Sequence, residues 1–186
     1  MTRLPTIRAA ATALVAVILG AVCYSQTPAT ARQPIDEYAL KAAFLYNFAK
    51  FVAWPAGSFR NSTDPLRVCV LGENRFGRGL EDALRGKDVG GRPLIASQVA
   101  TAREGCGCQM LFISSSEKKR LGTILEELRG SSVLTVGETE GFAERGGIMN
   151  LKVADGRIRL EVNITAADQS GLRISAKLLS LARTVR

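Results

Sequence analysis

The side chains best suited to chemistry in this sequence are its four cysteines. Cys23 follows the N-terminal apolar run, Cys69 lies within an apolar segment, and Cys106 and Cys108 precede another apolar segment. A disulfide from Cys69 to Cys108 or to Cys106 fits an oxidising compartment, and the residues alone leave the connectivity open. A zinc site is disfavoured, because Cys69, Cys106 and Cys108 include no C-x-x-C pair and the sequence offers no histidine to complete a ligand set.

A glycine-rich segment at 72–79 follows a predicted strand and precedes a predicted helix, which is where phosphate-binding loops lie. Gly72 and Gly77 have the spacing of a P-loop, but Arg78 and Gly79 stand where lysine and serine or threonine are required. The segment also lacks the G-x-G-x-x-G pattern. We therefore interpret its glycines as turn residues that provide backbone freedom, and we do not predict a nucleotide site.

The sequence contains no histidine at all. This absence removes Ser-His-Asp and Cys-His activation of a nucleophile, histidine-ligated zinc, and the side chain that titrates nearest to neutral pH. No pair of acidic residues stands out as a general acid and base. We therefore predict that the protein is not an enzyme and that it uses no cofactor or metal.

The N-terminal region has the features of a secretory signal peptide. Arg3 and Arg8 precede or border an apolar run at 9–22, which is shorter than the roughly 20 residues of a membrane-spanning helix. It fits the roughly 7 to 15 residues of a secretory apolar region, and residues 29–31 supply a small-x-small cleavage pattern. The pattern predicts a cleaved signal peptide at 1–31 and a periplasmic protein.

Two alternatives to a cleaved signal peptide are a retained N-terminal anchor and lipid attachment at Cys23. Lipid attachment is disfavoured, because the β-branched Val22 stands where a lipobox has a small residue.

The remaining residues, 32–186, are enough for one domain with its own core. The chain carries a formal net charge of +8, but its basic residues are scattered, so no nucleic-acid partner is predicted.

Apolar segments of strand and helix length alternate along the chain and predict a single α/β domain. The predicted sheet is mixed and mostly parallel, is flanked by helices, and is followed by a C-terminal hairpin and helix. Strand order is not predicted. The predicted strands lie at 68–71, 92–96, 110–113, 133–136, 148–153 and 157–164, and the predicted helices at 36–54, 76–84 and 121–128 and from Ser175 to Val185.

The sequence after residue 31 resembles the YfiR family over nearly its full length. Two long segments carry most of the resemblance, YALKAAFLYNFAKFVAWP at 38–55 and GLRISAKLL at 171–179. Shorter matching segments lie at 68–72, 108–113, 133–136, 146–149 and 162–164.

The resemblance implies a periplasmic, often dimeric α/β regulator. It would bind the periplasmic part of a membrane diguanylate cyclase of the YfiN type and repress it, which lowers cyclic di-GMP and biofilm formation. The family's cysteine positions match Cys69 and Cys108, which implies a bridge between these two and leaves Cys106 out. Some members have a second cysteine pair near the segment at 146–147, and this chain has none there, so redox regulation through such a pair is not expected.

Four residues are candidate contacts for a partner protein. Arg173 lies between two apolar residues and suits a binding hot spot, and Lys177 follows it by four residues. Asn47 and Lys50 lie among the aromatic residues of the first predicted helix. A plain solvated surface explains these residues equally well. The alternative function is that of a periplasmic protein that binds an unidentified small ligand.

Overall fold

A computed structural model describes residues 36–154 and 157–185, all within one compact unit at 34–186. The predicted signal peptide at 1–31 lies outside the described residues. The helices are α1 (Glu37–Phe51), α2 (Gly79–Leu84), α3 (Ala102–Gly105), α4 (Leu121–Glu127), α5 (Ile164–Gln169) and α6 (Ala176–Leu179). The strands are β1 (Val52–Ala53), β2 (Leu66–Leu71), β3 (Asp88–Val89), β4 (Arg92–Val99), β5 (Met110–Ile113), β6 (Leu134–Gly137), β7 (Met149–Ala154), β8 (Arg157–Asn163), β9 (Arg173–Ile174) and β10 (Arg183–Val185).

The main sheet has eight strands in the order β10-β8-β7-β6-β5-β2-β4-β3. Neighbouring strands run parallel except for the β7–β8 hairpin and the β3–β4 pair at one edge. The prediction of a mixed, mostly parallel sheet flanked by helices is therefore confirmed. The chain passes from β2 outward to β4 and then returns to β5 on the other side of β2, which makes the β2–β5 boundary a topological switch point.

The central strands are buried on both faces, as their continuous apolar sequences require. Successive residues of a strand point to opposite faces, so Val68 and Val70 pack against α1, α2, α5 and α6. Cys69, Leu71 and Leu111 pack on the other face, against α3 and α4. The core therefore forms two layers separated by the sheet.

Helix α1 ends three residues earlier than the predicted helix at 36–54. Asp36 caps its start by accepting a hydrogen bond from the Tyr38 amide (3.0 Å). Its end at Phe51 is fixed from outside the helix, because the Ser175 amide donates to the Phe51 carbonyl (2.9 Å). Val52, which is β-branched and favours extended backbone, then begins β1.

The predicted C-terminal helix is wrong beyond its first turn. Ser175 caps α6 as predicted, by accepting from the Leu178 amide (3.3 Å), but the helix ends at Leu179. Residues 183–185 instead form β10, which adds to β8 in parallel. Arg183 Nη1 also donates to the Glu161 carboxylate (3.1 Å). Pairing at the open edge of β8 therefore overrides the helical periodicity that the sequence shows.

The disulfide joins the two central strands of the switch point. Cys69 lies within β2, and Cys108 lies just before β5, with their Cα atoms 6.2 Å apart. This is the pair that the family resemblance implied. Cys106 is exposed and free.

Candidate partner-binding surface

A two-stranded ribbon brings residues about 120 positions apart into one surface. In this ribbon β1 and β9 run antiparallel, with Ala53 opposite Arg173 and Val52 opposite Ile174. The ribbon continues directly from the C-terminal end of α1. Its two strands are too short to be recognised from sequence periodicity, since each has only two residues.

A shallow groove of about 300 Å³ lies along this ribbon. Lys50 and Arg173 both line it, together with Phe51 and Ile174. Lys177 lies beside it, with its Nζ 5.6 Å from the centre of the Phe51 ring. Three of the four predicted contact residues are therefore brought together by the fold.

Lys87 is a further cation in this region that sequence reasoning missed. Its Nζ lies 4.8 Å from the centre of the Tyr46 ring, and the Nζ of Lys50 lies 5.2 Å from the same ring. Lys87 follows α2, and no local pattern links it to α1. We call Lys50, Lys87, Arg173 and Lys177 the basic patch. In the part of the chain that the structure describes, none of these four cations forms a salt bridge.

Unpaired cations beside aromatic rings are well suited to a partner that carries carboxylates. The rings hold the lysine side chains through cation–π contacts. Since no acid of residues 36–154 or 157–185 pairs with these cations, their charges are available to a partner. Asn47 is separate from this arrangement, because it is exposed on the outer side of α1 and does not line the groove.

A buried ionic cluster lies at the opposite end of α1. Lys41 is only 2% exposed, and its ammonium group pairs with the carboxylates of Glu37 and Glu138. The Tyr38 hydroxyl donates to Glu138 (2.8 Å), and so does the Ser115 amide (2.9 Å). Because Glu138 directly follows β6, the cluster attaches α1 to the carboxyl-terminal edge of the sheet.

The environment of the cluster sets the protonation of its members. Burial alone raises the pKa of Glu138, but hydrogen bonds from Lys41, Ser115 and Tyr38 outweigh burial and leave that pKa below its usual 4.5. Burial, followed by the hydrogen bond to Glu138, raises the pKa of Tyr38 well above its usual value of 10.0. At neutral pH the cluster therefore holds an ionised Glu138 and a neutral Tyr38.

The depressed pKa of Glu138 predicts a loss of stability in acid. A carboxyl group whose folded-state pKa is lowered stabilises the fold above its unfolded pKa, and this contribution is lost as pH falls through the folded pKa. We expect the free energy of unfolding to fall below about pH 4.5 in the wild type. The fall should be smaller in Glu138→Gln, as measured by urea denaturation from pH 7 to pH 3.

The matched control for this measurement is Glu127→Gln, which changes an exposed carboxylate on α4. It should follow the wild-type pH profile. An equal acid dependence in Glu138→Gln and the wild type would show that Glu138 does not carry the effect.

In sheets of this kind, ligands often bind in the crevice at the carboxyl-terminal ends of the strands beside the switch point. In this protein the chain itself fills that crevice. The Ser116 hydroxyl accepts from the Glu73 amide (2.9 Å). A Cβ at Gly72, whose φ is +89°, would lie 2.5 Å from the Ser116 hydroxyl oxygen. Gly72 is therefore required by close packing and by its backbone angle, which agrees with its interpretation as a turn residue.

A polar groove of about 600 Å³ lies at the opposite edge, where β2, β5 and β6 begin. Gln109 organises its floor: its side-chain amide donates to the Ser58 carbonyl (2.9 Å) and its side-chain oxygen accepts from the Arg67 amide (2.9 Å). The Trp54 indole donates to the Gln109 carbonyl (2.9 Å). The Ser58 hydroxyl oxygen is buried and has no hydrogen-bond partner among the described residues.

Comparisons with known proteins agree with this architecture. A family model described as YfiR/HmsC-like matches residues 38–183. The crystal structure of a conserved domain protein from Vibrio cholerae O1 biovar El Tor is similar with a TM-score of 0.56 and 11% identity. That match covers 81% of this chain and 60% of the Vibrio chain, so this chain spans less than two thirds of that protein's length. At such low identity the similarity concerns the fold alone.

A second solved structure is an ABC domain from Streptococcus pneumoniae in complex with L-Trp. It has a TM-score of 0.49 and 9% identity, and the match covers 64% of this chain and 55% of that one. Within the described residues, no helix is long and apolar enough to cross a bilayer.

Proposed function

Because the chain belongs to the YfiR/HmsC-like family, whose model spans residues 38–183, we propose that it binds and represses a membrane-bound diguanylate cyclase. Repression would lower cyclic di-GMP and biofilm formation. At the family level, the match supports a periplasmic regulator of such a cyclase and a regulatory, non-catalytic role. The particular cyclase and the contact surface are part of the proposal.

A periplasmic location is supported by the family and by the bridge between Cys69 and Cys108. Disulfides persist in oxidising compartments such as the periplasm and are rare in the reducing cytosol. Delivery by a cleaved signal peptide at 1–31 remains a proposal, which N-terminal sequencing of the mature protein tests directly. We expect that sequence to begin at or near Arg32, whereas a lipid-modified Cys23 or an intact Met1 would contradict the proposal.

The observation that carries the binding proposal is the basic patch beside the ribbon groove. The groove exposes apolar and aromatic surface from Phe51 and Ile174, and the surrounding cations lack internal acidic partners among the described residues. Such a combination of an apolar centre and a charged rim is typical of protein-binding sites. We propose that Arg173 and Lys177 make the main contacts, with Lys50 at the margin.

Reversing the charge of the basic patch should release the cyclase. We expect Arg173→Glu combined with Lys177→Glu to raise cyclic di-GMP and surface attachment to the levels of a gene deletion. Each substitution should cost about 1 to 4 kcal/mol of binding free energy, so the two together should lower the affinity for the cyclase tenfold or more. Cyclic di-GMP should be measured in the variant strain and in strains lacking the regulator, the cyclase, or both.

The matched control is Arg103→Glu, because Arg103 is exposed on α3, on the other face of the sheet. This variant should repress like the wild type. A pull-down of the cyclase's periplasmic segment should recover wild type and Arg103→Glu but not the double variant. Unchanged cyclic di-GMP in the deletion strain, together with no cyclase recovered, would refute the regulatory function.

A second candidate function is favoured by the polar groove that Gln109 organises. Its volume of about 600 Å³ lies within the range of small-molecule sites, and the buried Ser58 hydroxyl lacks a partner among the described residues. This combination favours a small polar ligand. Native mass spectrometry of protein purified from the periplasm distinguishes the two functions, because a retained small molecule supports the ligand-binding candidate.

A further inference from the structure

The polar groove at the start of β2, β5 and β6 contains a free thiol and two guanidinium groups. Arg60, Arg67 and Cys106 all line the groove, and each of them is exposed. Within the described ranges of the chain, neither arginine forms a salt bridge. Two such guanidinium groups at one concave site are available to an anion that enters from solvent.

The charged groups of the groove leave it with a small positive excess. Its lining carries two guanidinium groups and one carboxylate, that of Asp64, which leaves one net positive charge. Asp64 is held by its own loop, because its Oδ2 accepts hydrogen bonds from the amides of Arg60 (2.8 Å) and Asn61 (3.2 Å). A ligand with a single negative charge therefore balances this lining, whereas a dianion exceeds it.

The helix ends beside the groove also disfavour a phosphate ligand. Phosphate sites often use the N-terminus of a helix, where free amide groups point at the anion. Here groove residues 106–109 directly follow the end of α3, and groove residues 131–133 come shortly after the end of α4. The chain therefore brings the carboxyl-terminal ends of two helices, with their partial negative charge, to this edge of the sheet. A carboxylate, with its single charge, is favoured.

The lining also offers hydrogen-bond acceptors for the uncharged part of a ligand. The Ser131 hydroxyl already donates to the Leu128 carbonyl, so its oxygen is left as an acceptor. The ionised Asp64 carboxylate, which also lines the groove, can only accept. Acceptors beside a pair of guanidinium groups suit an acid that also carries hydroxyl groups.

We propose that the polar groove binds a small monocarboxylate that carries hydroxyl groups. Its carboxylate pairs with Arg60 and Arg67, and its hydroxyl groups donate to Asp64 and Ser131. The volume of about 600 Å³ is sufficient for a sugar acid. The proposal rests on the ligand-binding candidate function and names the chemical class of its ligand.

The free thiol makes occupancy of the groove measurable. Because Cys106 lines the groove, a bound ligand should shield it from alkylation by iodoacetamide, which is uncharged. We expect D-gluconate to slow this alkylation in mature protein purified from the periplasm, as followed by mass spectrometry. D-Glucitol, which has the hydroxyl groups but lacks the carboxylate, should not slow it, and neither should inorganic phosphate. Isothermal titration calorimetry with gluconate measures the affinity independently of the thiol.

Substitution of the two arginines tests the assigned contacts. Arg60→Gln and Arg67→Gln should each weaken gluconate binding about tenfold or more, because each removes a charge-assisted hydrogen bond. Arg78→Gln, which changes an exposed arginine just before α2 at the other edge of the sheet, is the matched control and should bind like the wild type. In a second control, Cys106→Ser combined with Thr123→Cys moves the thiol to an exposed position on α4, where gluconate should not slow alkylation.

The possible results distinguish the class of ligand from the existence of a ligand site. Equal or greater protection by glucitol or phosphate would overturn the carboxylate assignment while leaving a ligand site in the groove. Gluconate binding that is unchanged in both arginine variants would also overturn it. Protection by none of the three compounds would overturn the proposal, and native mass spectrometry of the purified protein would then decide the ligand-binding function separately. Repression of the cyclase is measured by cyclic di-GMP and is independent of all these results.

Discussion

Replacing Glu138 with alanine is expected to destabilise the protein by about 3 to 5 kcal/mol, because it leaves a buried ammonium group without its buried partner. Lys41 is 2% exposed, and its remaining carboxylate partner, Glu37, is nearly half exposed and lies in the first turn of α1. The substitution also removes the acceptor for the Tyr38 hydroxyl and the Ser115 amide. Urea denaturation at pH 7 measures the loss directly.

A double variant distinguishes the destabilisation caused by the buried charge from that caused by lost packing. Lys41→Met combined with Glu138→Leu replaces the ion pair with apolar side chains of similar volume, an exchange that is often neutral or stabilising. It should recover most of the stability that Glu138→Ala loses. Glu127→Ala, an exposed control on α4, should change stability by less than about 0.5 kcal/mol. A loss of under about 1 kcal/mol for Glu138→Ala would mean that Lys41 is not held in a desolvated site.

Removing the disulfide should have the second-largest effect on stability. The bridge closes a loop between residues 39 positions apart, which is worth about 3 to 4 kcal/mol in the chain-entropy model. We expect Cys69→Ala combined with Cys108→Ala to lower the thermal midpoint by about 6 to 16 °C, since about 1 kcal/mol shifts the midpoint of a domain of this size by about 2 to 4 °C. Differential scanning calorimetry measures the shift.

The exposed cysteine provides the control for the disulfide experiment. Cys106→Ala should melt like the wild type, because the Cys106 thiol is free and exposed. A reductant should lower the midpoint of both the wild type and Cys106→Ala and leave the bridge-deleted variant unchanged. Non-reducing peptide mapping that found Cys106 in the bridge, in place of Cys108, would contradict this pairing.

The main sheet was predictable because its central strands are apolar on both faces. The apolar composition of segments such as 68–71, 110–113 and 133–136 predicts strands, and the apolar spacing between these segments predicts helices. The segment at 180–185 was less predictable. Residues 183–185 continue a helical apolar pattern, yet they pair with β8 because that edge offers unsatisfied backbone groups. Local periodicity contains no information about such an edge.

The basic patch was predictable only in part, for a related reason. Lys50 and Arg173 each lie in a distinctive segment, so each was identified, but their proximity depends on β1 and β9, which are too short to leave a pattern. Lys87 reaches Tyr46 from the segment that follows α2, and nothing near Lys87 in the sequence indicates that contact.

The burial of Lys41, in contrast, could have been predicted from its position on α1. Lys41 lies one turn before Leu45 and two turns before Phe48, on the same helical stripe, and both of those residues are fully buried. A lysine on the apolar stripe of a helix predicts a buried ammonium group and hence a carboxylate partner. The identity of that partner, Glu138, comes from the crossover topology of the sheet and lies outside the reach of helical spacing.

The pairing of β1 with β9 also determines the stage of synthesis at which the ribbon groove can form. Ala53 leaves the ribosome about 120 residues before Arg173, its partner in the register. Contacts of such large sequence separation form late in folding. A chain cut short before residue 173 would retain the first strand of the ribbon but lack the groove, so a partner that binds there could not engage the truncated chain.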